Sequence, residues 1–229
     1  GVSVTFHPEM PQGVKMRILQ EFGKVSREDP EGYAVIADEN GINIYSFTLG
    51  GLLQGAYALV RQSQKGTLPM GMWYSYPRCP FRGIKVFLPS RENMTFFKEL
   101  MRFCSFYGCN RVMIETGGAM EYKRHPEINQ GWEEYCGQFD EYQGKTIDVQ
   151  NASGWKKNSI HYENGGGSWL TQEEVRELVD YCNWLHLEVI PEVPSLSHSD
   201  YLLTRYPEFA ERKEDPLPDT YCPTNKAVY

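Results

Sequence analysis

Hydrophobic and polar positions over residues 1–70 predict a small α/β domain. Residues 32–38 and 42–47 are short β-prone runs, and the Asn-Gly pair at 40–41 between them is typical of a tight hairpin turn. Residues 49–60 then carry apolar side chains at helical spacing, which predicts an amphipathic helix. A hairpin followed by such a helix indicates a sheet with a helix laid on one face.

Two further segments of this front region have weaker patterns. Residues 14–21 alternate in part and are interpreted as a strand. Residues 71–80 are interrupted by Gly and Pro, so we expect a linker there. Within it, residues 72–76 are apolar enough to form another strand or to hold two domains together.

From residue 81 the pattern changes to alternating strands and helices. Residues 82–88, 111–115 and 187–191 are predicted strands. Residues 93–107 are predicted to form a helix with one broad apolar face. A second helix begins after Thr171, which forms a capping-box pattern with the glutamate three residues later.

Strands that alternate with helices predict a parallel sheet with right-handed crossovers. An open doubly wound sheet and a (β/α)8 barrel both fit. No Gly-rich nucleotide-binding pattern follows any strand, which favours the barrel. A barrel takes about 250 residues, and residues 81–229 supply three strands. We therefore expect the first three βα units of a TIM barrel, apparently truncated.

Charge, hydropathy and cysteine usage exclude several classes of protein. The net charge is −7 and no basic stripe occurs, so nucleic acid is not an expected partner. The sequence has no run of eighteen apolar residues, so no membrane span is predicted. No leader pattern opens the chain. A cytoplasmic location and a secreted or periplasmic one with the signal removed both remain open. The six cysteines lack zinc-site spacing, so we expect buried thiols, no metal and no cofactor.

Five polar side chains at strand ends are candidates for binding or chemistry. Arg82 opens the first barrel strand, where it could hold sugar hydroxyls or, equally, form a structural salt bridge. Glu115 and Glu192 end the next two strands, the place where barrel enzymes bind substrate. Glu188 shares a face with Glu192 but lies roughly 13 Å from it, so we expect it to be structural. His198 follows the third strand and could donate to a sugar or a carboxylate.

Aromatic residues crowd the long insertion over residues 117–169. Trp132, Trp155 and Trp169 are candidates for stacking against the apolar faces of sugars. The alternative is that such rings form the core of the insertion itself, and we expect at least half of the aromatic side chains there to do so.

The front domain resembles that of a known enzyme family. Residues 31–37, 40–44 and 50–59 are similar to the small α/β domain that precedes the barrel in family 20 glycoside hydrolases, the β-N-acetylhexosaminidases. Residues 80–84 resemble the family's first barrel strand, whose arginine binds hydroxyls of the terminal sugar. The resemblance implies this role for Arg82.

The resemblance continues towards the end of the chain. Residues 170–182 and 188–198 resemble the helix and third strand that lead to the family's Pro-Gly-His stretch, and His198 takes the histidine position. Three family features differ. An aspartate late in the first strand is replaced within residues 86–89, and a His-x-His run followed by aspartates is replaced within residues 113–119. The glycine of Pro-Gly-His is Ser197.

The family's catalytic acid belongs to an Asp-Glu pair after the fourth strand. No such pair follows His198, so we expect no catalytic residue within this chain and place the pair beyond Tyr229. The resemblance implies a fragment of an exo-acting β-N-acetylhexosaminidase-like enzyme that uses a substrate-assisted retaining mechanism on a glycan. A non-catalytic carbohydrate-binding protein and a barrel glycosidase for another sugar are the alternatives. We expect this piece alone to dimerise or aggregate.

Overall fold

The described residues form two compact units. In a computed structural model, residues 2–23, 30–64, 66–68, 70–137, 164–215 and 218–228 are described. Within these, the first unit comprises residues 1–82 with 104–109, and the second comprises residues 83–103 with 110–229. Each unit contains one β-sheet.

The first unit is a four-stranded mixed sheet with two helices. Its strands are β1 Val4–His7, β2 Tyr33–Asp38, β3 Gly41–Ser46 and β4 Gly71–Ser75, and its helices are α1 Gln12–Phe22 and α2 Leu49–Ser63. The strand order is β1-β3-β2-β4, with β1 parallel to β3 and the other pairs antiparallel. The predicted hairpin and the helix after it are confirmed.

Helix α2 lies unusually close to the sheet because glycines face it. A Cβ atom on Gly51 would come within 2.0 Å of Ser46 Oγ, and one on Gly55 within 2.5 Å of Ile44 Cγ2. The buried core here includes Val35, Ile44 and Leu52. Small residues on the helix therefore bring its apolar stripe onto the strands.

One strand prediction is wrong, and one linker segment is a strand. Residues 14–21 belong to helix α1, because Val14 and Ile18 are four residues apart and pack on one side. Ile18 is fully buried, which partial alternation did not indicate. Within the expected linker, Gly71–Ser75 forms β4 and pairs with β2, the strand alternative for this segment.

The second unit is a three-stranded parallel sheet connected by helices. Its strands are β5 Gly83–Phe87, β6 Arg111–Glu115 and β7 Glu188–Glu192, and its helices are α3 Met94–Phe106, α4 Pro126–Gly137, α5 Gln172–Trp184 and the short α6 Asp200–Leu203. The order β5-β6-β7 with parallel pairing confirms the predicted start of a barrel. No helix in the described ranges is long and apolar enough to cross a membrane.

Alternation along the strands divides the second sheet into two faces. Val112 and Ile114 of β6 are buried on one face, while Met113 and Glu115 point to the other. On the helix side, Leu178 of α5 is fully buried. The predicted capping box is present: Thr171 Oγ1 accepts from the backbone N–H of Glu174 at 3.2 Å, and the Glu174 carboxylate accepts from the backbone N–H of Thr171 at 2.7 Å.

Candidate functional site

The carboxyl ends of the three parallel strands meet at one edge of the second sheet. Phe87, Glu115 and Glu192 are register partners across β5, β6 and β7. Side chains at this edge are the ones that parallel α/β enzymes use for binding and chemistry. The structure therefore brings together two of the predicted site residues, Glu115 and Glu192.

A lysine joins these two carboxylates. Lys85, two residues before Phe87 and on the same face of β5, places its Nζ 2.9 Å from Glu115 Oε2 and 2.8 Å from Glu192 Oε1. We call Lys85, Glu115 and Glu192 the Lys85 cluster. Each residue comes from a different strand, so the sheet itself fixes the arrangement.

Burial within the Lys85 cluster is uneven. The side chain of Glu115 is 2% exposed, against 32% for Glu192 and 45% for Lys85. Partial burial of Lys85 acts to lower its pKa, but the hydrogen bonds to Glu192 and Glu115 outweigh it, and the pKa of Lys85 is raised. The Lys85 ammonium therefore stays charged between the two carboxyl groups. An ion cluster of this kind offers charged groups for hydrogen bonds to a ligand.

Backbone hydrogen bonds continue beyond the strands and hold this edge. The N–H of Leu88 donates to Glu115 O at 3.1 Å, and the N–H of Thr116 donates to Glu192 O at 2.8 Å. The N–H of Gly165 donates to Leu88 O at 2.8 Å. The residues after each strand are thereby fixed at the same edge as the Lys85 cluster.

The loop that carries His198 follows β7 at this edge and has an unusual backbone. Leu196 and His198 adopt positive φ angles of 71° and 54°, a region that non-glycine residues seldom occupy. The loop is held by hydrogen bonds from the Tyr221 N–H to Leu196 O at 2.7 Å and from the Ser199 N–H to Asp219 O at 2.9 Å. Such strain persists only where surrounding contacts impose it.

Arg82 lies in the first unit and precedes the amino end of β5. Its guanidinium donates to Glu31 Oε2 at 2.6 Å, to Gly108 O at 2.6 Å and to Cys79 O at 2.7 Å. The contact with Glu31 is a salt bridge, which is the alternative to sugar binding that the sequence left open for Arg82. The contacts with hydroxyls implied for Arg82 stay a prediction.

The three candidate tryptophans have different outcomes. Trp132 is 2% exposed and belongs to a core cluster with Ile128, Tyr135, Cys136 and Tyr201, which favours the core alternative for this ring. Trp169 is partly buried, and its carbonyl accepts from Arg91 at 3.3 Å. Trp155 lies outside the described residues. Sugar stacking by Trp169 stays a prediction.

Two other observations concern Glu188 and metal binding. Glu188, expected to be structural, lies at the amino end of β7 and pairs with Arg111 of β6 at 2.7 Å. Among the described ranges, no group of three or more His, Cys, Asp or Glu side chains is placed to hold a metal ion. Sequence analysis missed Lys85, although a lysine in the middle of an apolar strand was an available signal.

Comparison with known proteins identifies the family resemblance independently. Residues 120–228 match the model of the glycosyl hydrolase family 20 catalytic domain. A β-hexosaminidase of Akkermansia muciniphila is 25% identical over 192 residues, which cover 79% of this chain and 34% of that protein.

Solved structures share the fold. The family 20 β-N-acetylhexosaminidase of Streptomyces coelicolor A3(2) superposes with a TM-score of 0.65 at 17% identity, over 100% of this chain and 43% of that one. The β-N-acetylhexosaminidase of Bacteroides fragilis gives 0.61 at 17% identity, over 97% and 46%. The chain thus spans about a third of the curated relative and under half of these two structures. The predicted resemblance to family 20 of the glycoside hydrolases is confirmed, and this chain is similar to part of the β-hexosaminidases.

Proposed function

We propose that the chain forms part of an exo-acting glycoside hydrolase that releases β-linked N-acetylhexosamine. The match of residues 120–228 to the family 20 catalytic domain carries this proposal. The parallel strands support it, because their carboxyl ends bring Glu115 and Glu192 to one edge. A glycan with a terminal N-acetylhexosamine is the proposed substrate.

The proposed mechanism is substrate-assisted and retaining. The acetamido oxygen of the sugar attacks the anomeric carbon while the glycosidic C–O bond breaks and a carboxylic acid protonates the leaving oxygen. Water then attacks the same carbon, opens the cyclic intermediate and releases the β-anomer. The Lys85 ammonium lies 2.9 Å from Glu115 Oε2 and 2.8 Å from Glu192 Oε1, so we assign both carboxyl groups to binding and not to this proton transfer. The proposed acid is the glutamate of an Asp-Glu pair that follows this sequence in the intact protein.

The roles proposed for this chain are binding and orientation. Glu192, partly exposed at the strand end, accepts hydrogen bonds from sugar hydroxyls. His198 lies in a loop whose backbone is bonded to residues 219 and 221, so the backbone that carries this side chain is held in place. Positioning of this kind lowers the barrier by fixing the sugar before reaction.

Turnover of aryl glycosides tests the proposal directly. The intact protein should hydrolyse aryl N-acetyl-β-glucosaminide or the corresponding galactosaminide with release of the β-anomer, visible by NMR at early times. The 229-residue chain alone should show no turnover. Failure of the intact protein across a panel of such glycosides contradicts the proposal, and release of the α-anomer contradicts the retaining mechanism.

A glycosidase for a different sugar is the second candidate, favoured by one observation. The Lys85 cluster includes Glu115, within the segment where the family resemblance implies a His-x-His run. Different hydrogen-bonding groups at that edge would select a different pattern of hydroxyls. A glycan array on the intact protein separates this candidate from the first. Binding of glycans without any hydrolysis would favour a non-catalytic carbohydrate-binding protein.

A further inference from the structure

The Lys85 cluster has unused hydrogen-bonding capacity. An ammonium has three N–H groups. Lys85 Nζ donates one to Glu192 Oε1 at 2.8 Å and forms an ion pair with Glu115 Oε2 at 2.9 Å. Oε2 of Glu192 is shielded from solvent and has no hydrogen-bond partner among the residues that the structure describes. A shielded oxygen without a donor is costly, so this oxygen is suited to receive one from a ligand.

A hydroxyl group matches this pair of atoms. It can accept from the Lys85 ammonium and donate to the Glu192 carboxylate, because a hydroxyl is both donor and acceptor. The Lys85 cluster carries one positive and two negative formal charges, which disfavours an anionic ligand nearby. The chemistry therefore fits a neutral sugar better than a sulfated or uronic one.

We propose that Lys85 and Glu192 determine sugar specificity by binding one hydroxyl, or two neighbouring hydroxyls, of a neutral sugar. Glu115 is a positioning residue, since its buried carboxylate fixes the Lys85 ammonium at the strand end. This inference rests on the proposed glycosidase function and identifies the side chains that recognise the substrate.

A purely structural ion cluster is the competing explanation, and the chain offers a matched control. Arg111 and Glu188 form an ion pair across β6 and β7, at the amino end of the same strands. Arg111→Met removes a cation from β6, the strand that also carries Glu115, but at the opposite end of that strand. It should affect stability without affecting sugar recognition.

The test uses kinetics of the intact protein on a neutral aryl N-acetylglucosaminide and on its sulfated counterpart. Lys85→Met and Glu192→Gln should each raise KM for the neutral sugar about tenfold to hundredfold, as expected for a lost hydrogen bond to a charged group. The change in kcat should be smaller, and Arg111→Met should leave KM within about twofold.

Charge gives a second readout that a structural role would not produce. Glu192→Gln removes a negative charge, so the preference for the neutral over the sulfated sugar should fall. Lys85→Met removes the positive charge, so the same preference should rise. A structural defect would move both variants in the same direction.

Several results would overturn the inference. Unchanged KM in Lys85→Met with turnover intact is one, and a shift of the neutral-to-sulfated preference in the same direction in both variants is another. If Lys85→Met does not fold, the double variant Lys85→Met/Glu115→Gln is tested instead, because it removes one positive and one negative charge. A wild-type KM in this double variant would also overturn the inference. If the wild-type protein has no turnover, the proposed function fails separately. Calorimetric binding of N-acetylglucosamine and its sulfate then decides the inference with the same variants.

Discussion

At the scale of single residues, burial determines what Glu115 can do. A carboxylate with a 2% exposed side chain is stable only with a charged or hydrogen-bonding partner. Lys85 supplies that partner while keeping its own side chain 45% exposed. The ammonium therefore pairs with a buried carboxylate while part of the lysine side chain stays accessible to solvent. In this way a residue in the middle of β5 contributes a charged group to the carboxyl edge of the sheet.

Gly118 provides a residue-scale prediction about packing after β6. A Cβ atom at this position would lie 2.5 Å from Trp132 Cγ and 2.7 Å from Tyr201 Cβ, both within a core cluster. We expect Gly118→Ala to destabilise the intact protein by roughly 1–3 kcal/mol, as overpacking does. Urea denaturation measures this change.

Gly137→Ala is the matched control for Gly118→Ala. A Cβ atom on Gly137, at the end of helix α4, meets no atom within 4 Å. This variant should be neutral or slightly stabilised, because alanine favours helix over glycine. Equal destabilisation of the two variants would contradict the packing described around Gly118.

The sequence predicts candidate site residues but not the side chain that joins them. Glu115 and Glu192 are candidates because both end predicted strands. Lys85 was missed because its role depends on strand register, which brings Nζ to carboxylates that are far away in sequence. Trp132 looked suitable for sugar stacking, but composition cannot tell an aromatic ring in a core from one on an open loop.

At the scale of elements, helix α5 combines a capping box with an ion pair. The Glu174 carboxylate accepts from the Thr171 backbone and from two nitrogens of Arg91, at 2.6 and 2.8 Å. The hydrogen bonds from Arg91 are the main reason that the pKa of Glu174 falls from 4.5 to about 2. The start of the helix is thereby connected to the segment that follows β5.

The lowered pKa of Glu174 predicts a pH effect. A carboxyl with a depressed pKa stabilises the folded state above its ordinary value of 4.5, and that contribution is lost as pH falls towards about 2. Arg91→Gln should weaken this contribution, so the variant is less stable at neutral pH and loses less stability on acidification over that range. Thermal unfolding from pH 2 to pH 7 measures both effects.

The control for Arg91→Gln is Lys213→Gln, which removes a positive charge from an exposed position in the second unit. The loss of thermal stability of Lys213→Gln on acidification should match that of the wild-type protein. If Arg91→Gln also loses as much stability as the wild-type protein over this pH range, Arg91 does not set the pKa of Glu174.

The elements that sequence predicted best are those with a strong local signal. The hairpin at residues 40–41 and the capping box at Thr171 depend on near neighbours, and both are present. Helix α1 was mistaken for a strand because only a few apolar positions mark its buried side, where Ile18 packs. Strand β1 was not predicted, since its four residues are stabilised by pairing with β3.

At the scale of the whole molecule, the second unit leaves apolar surface exposed. Phe96 is 67% exposed, Phe103 60% and Trp184 72%, and Phe96 also lines a groove of about 520 Å³ beside β5. Within the described part of the chain, β5 and β7 each pair on one side only. Exposed strand edges beside apolar side chains favour association between chains.

We therefore expect the 229-residue chain on its own to self-associate. Light scattering should give a mass above that of one chain, and Phe96→Ser should reduce it. Leu49→Ser, which changes a 66% exposed residue of the first unit, is the control and should have a smaller effect. A monodisperse single-chain mass for the unchanged sequence would contradict this expectation.

Sugar is proposed to bind at the carboxyl edge of the three parallel strands. A crystal structure of the intact protein with N-acetylglucosamine tests it most directly. A sugar hydroxyl should lie within hydrogen-bonding distance of Lys85 Nζ and the Glu192 carboxylate. Sugar bound elsewhere, with the Lys85 cluster making no contact to it, would contradict the claim.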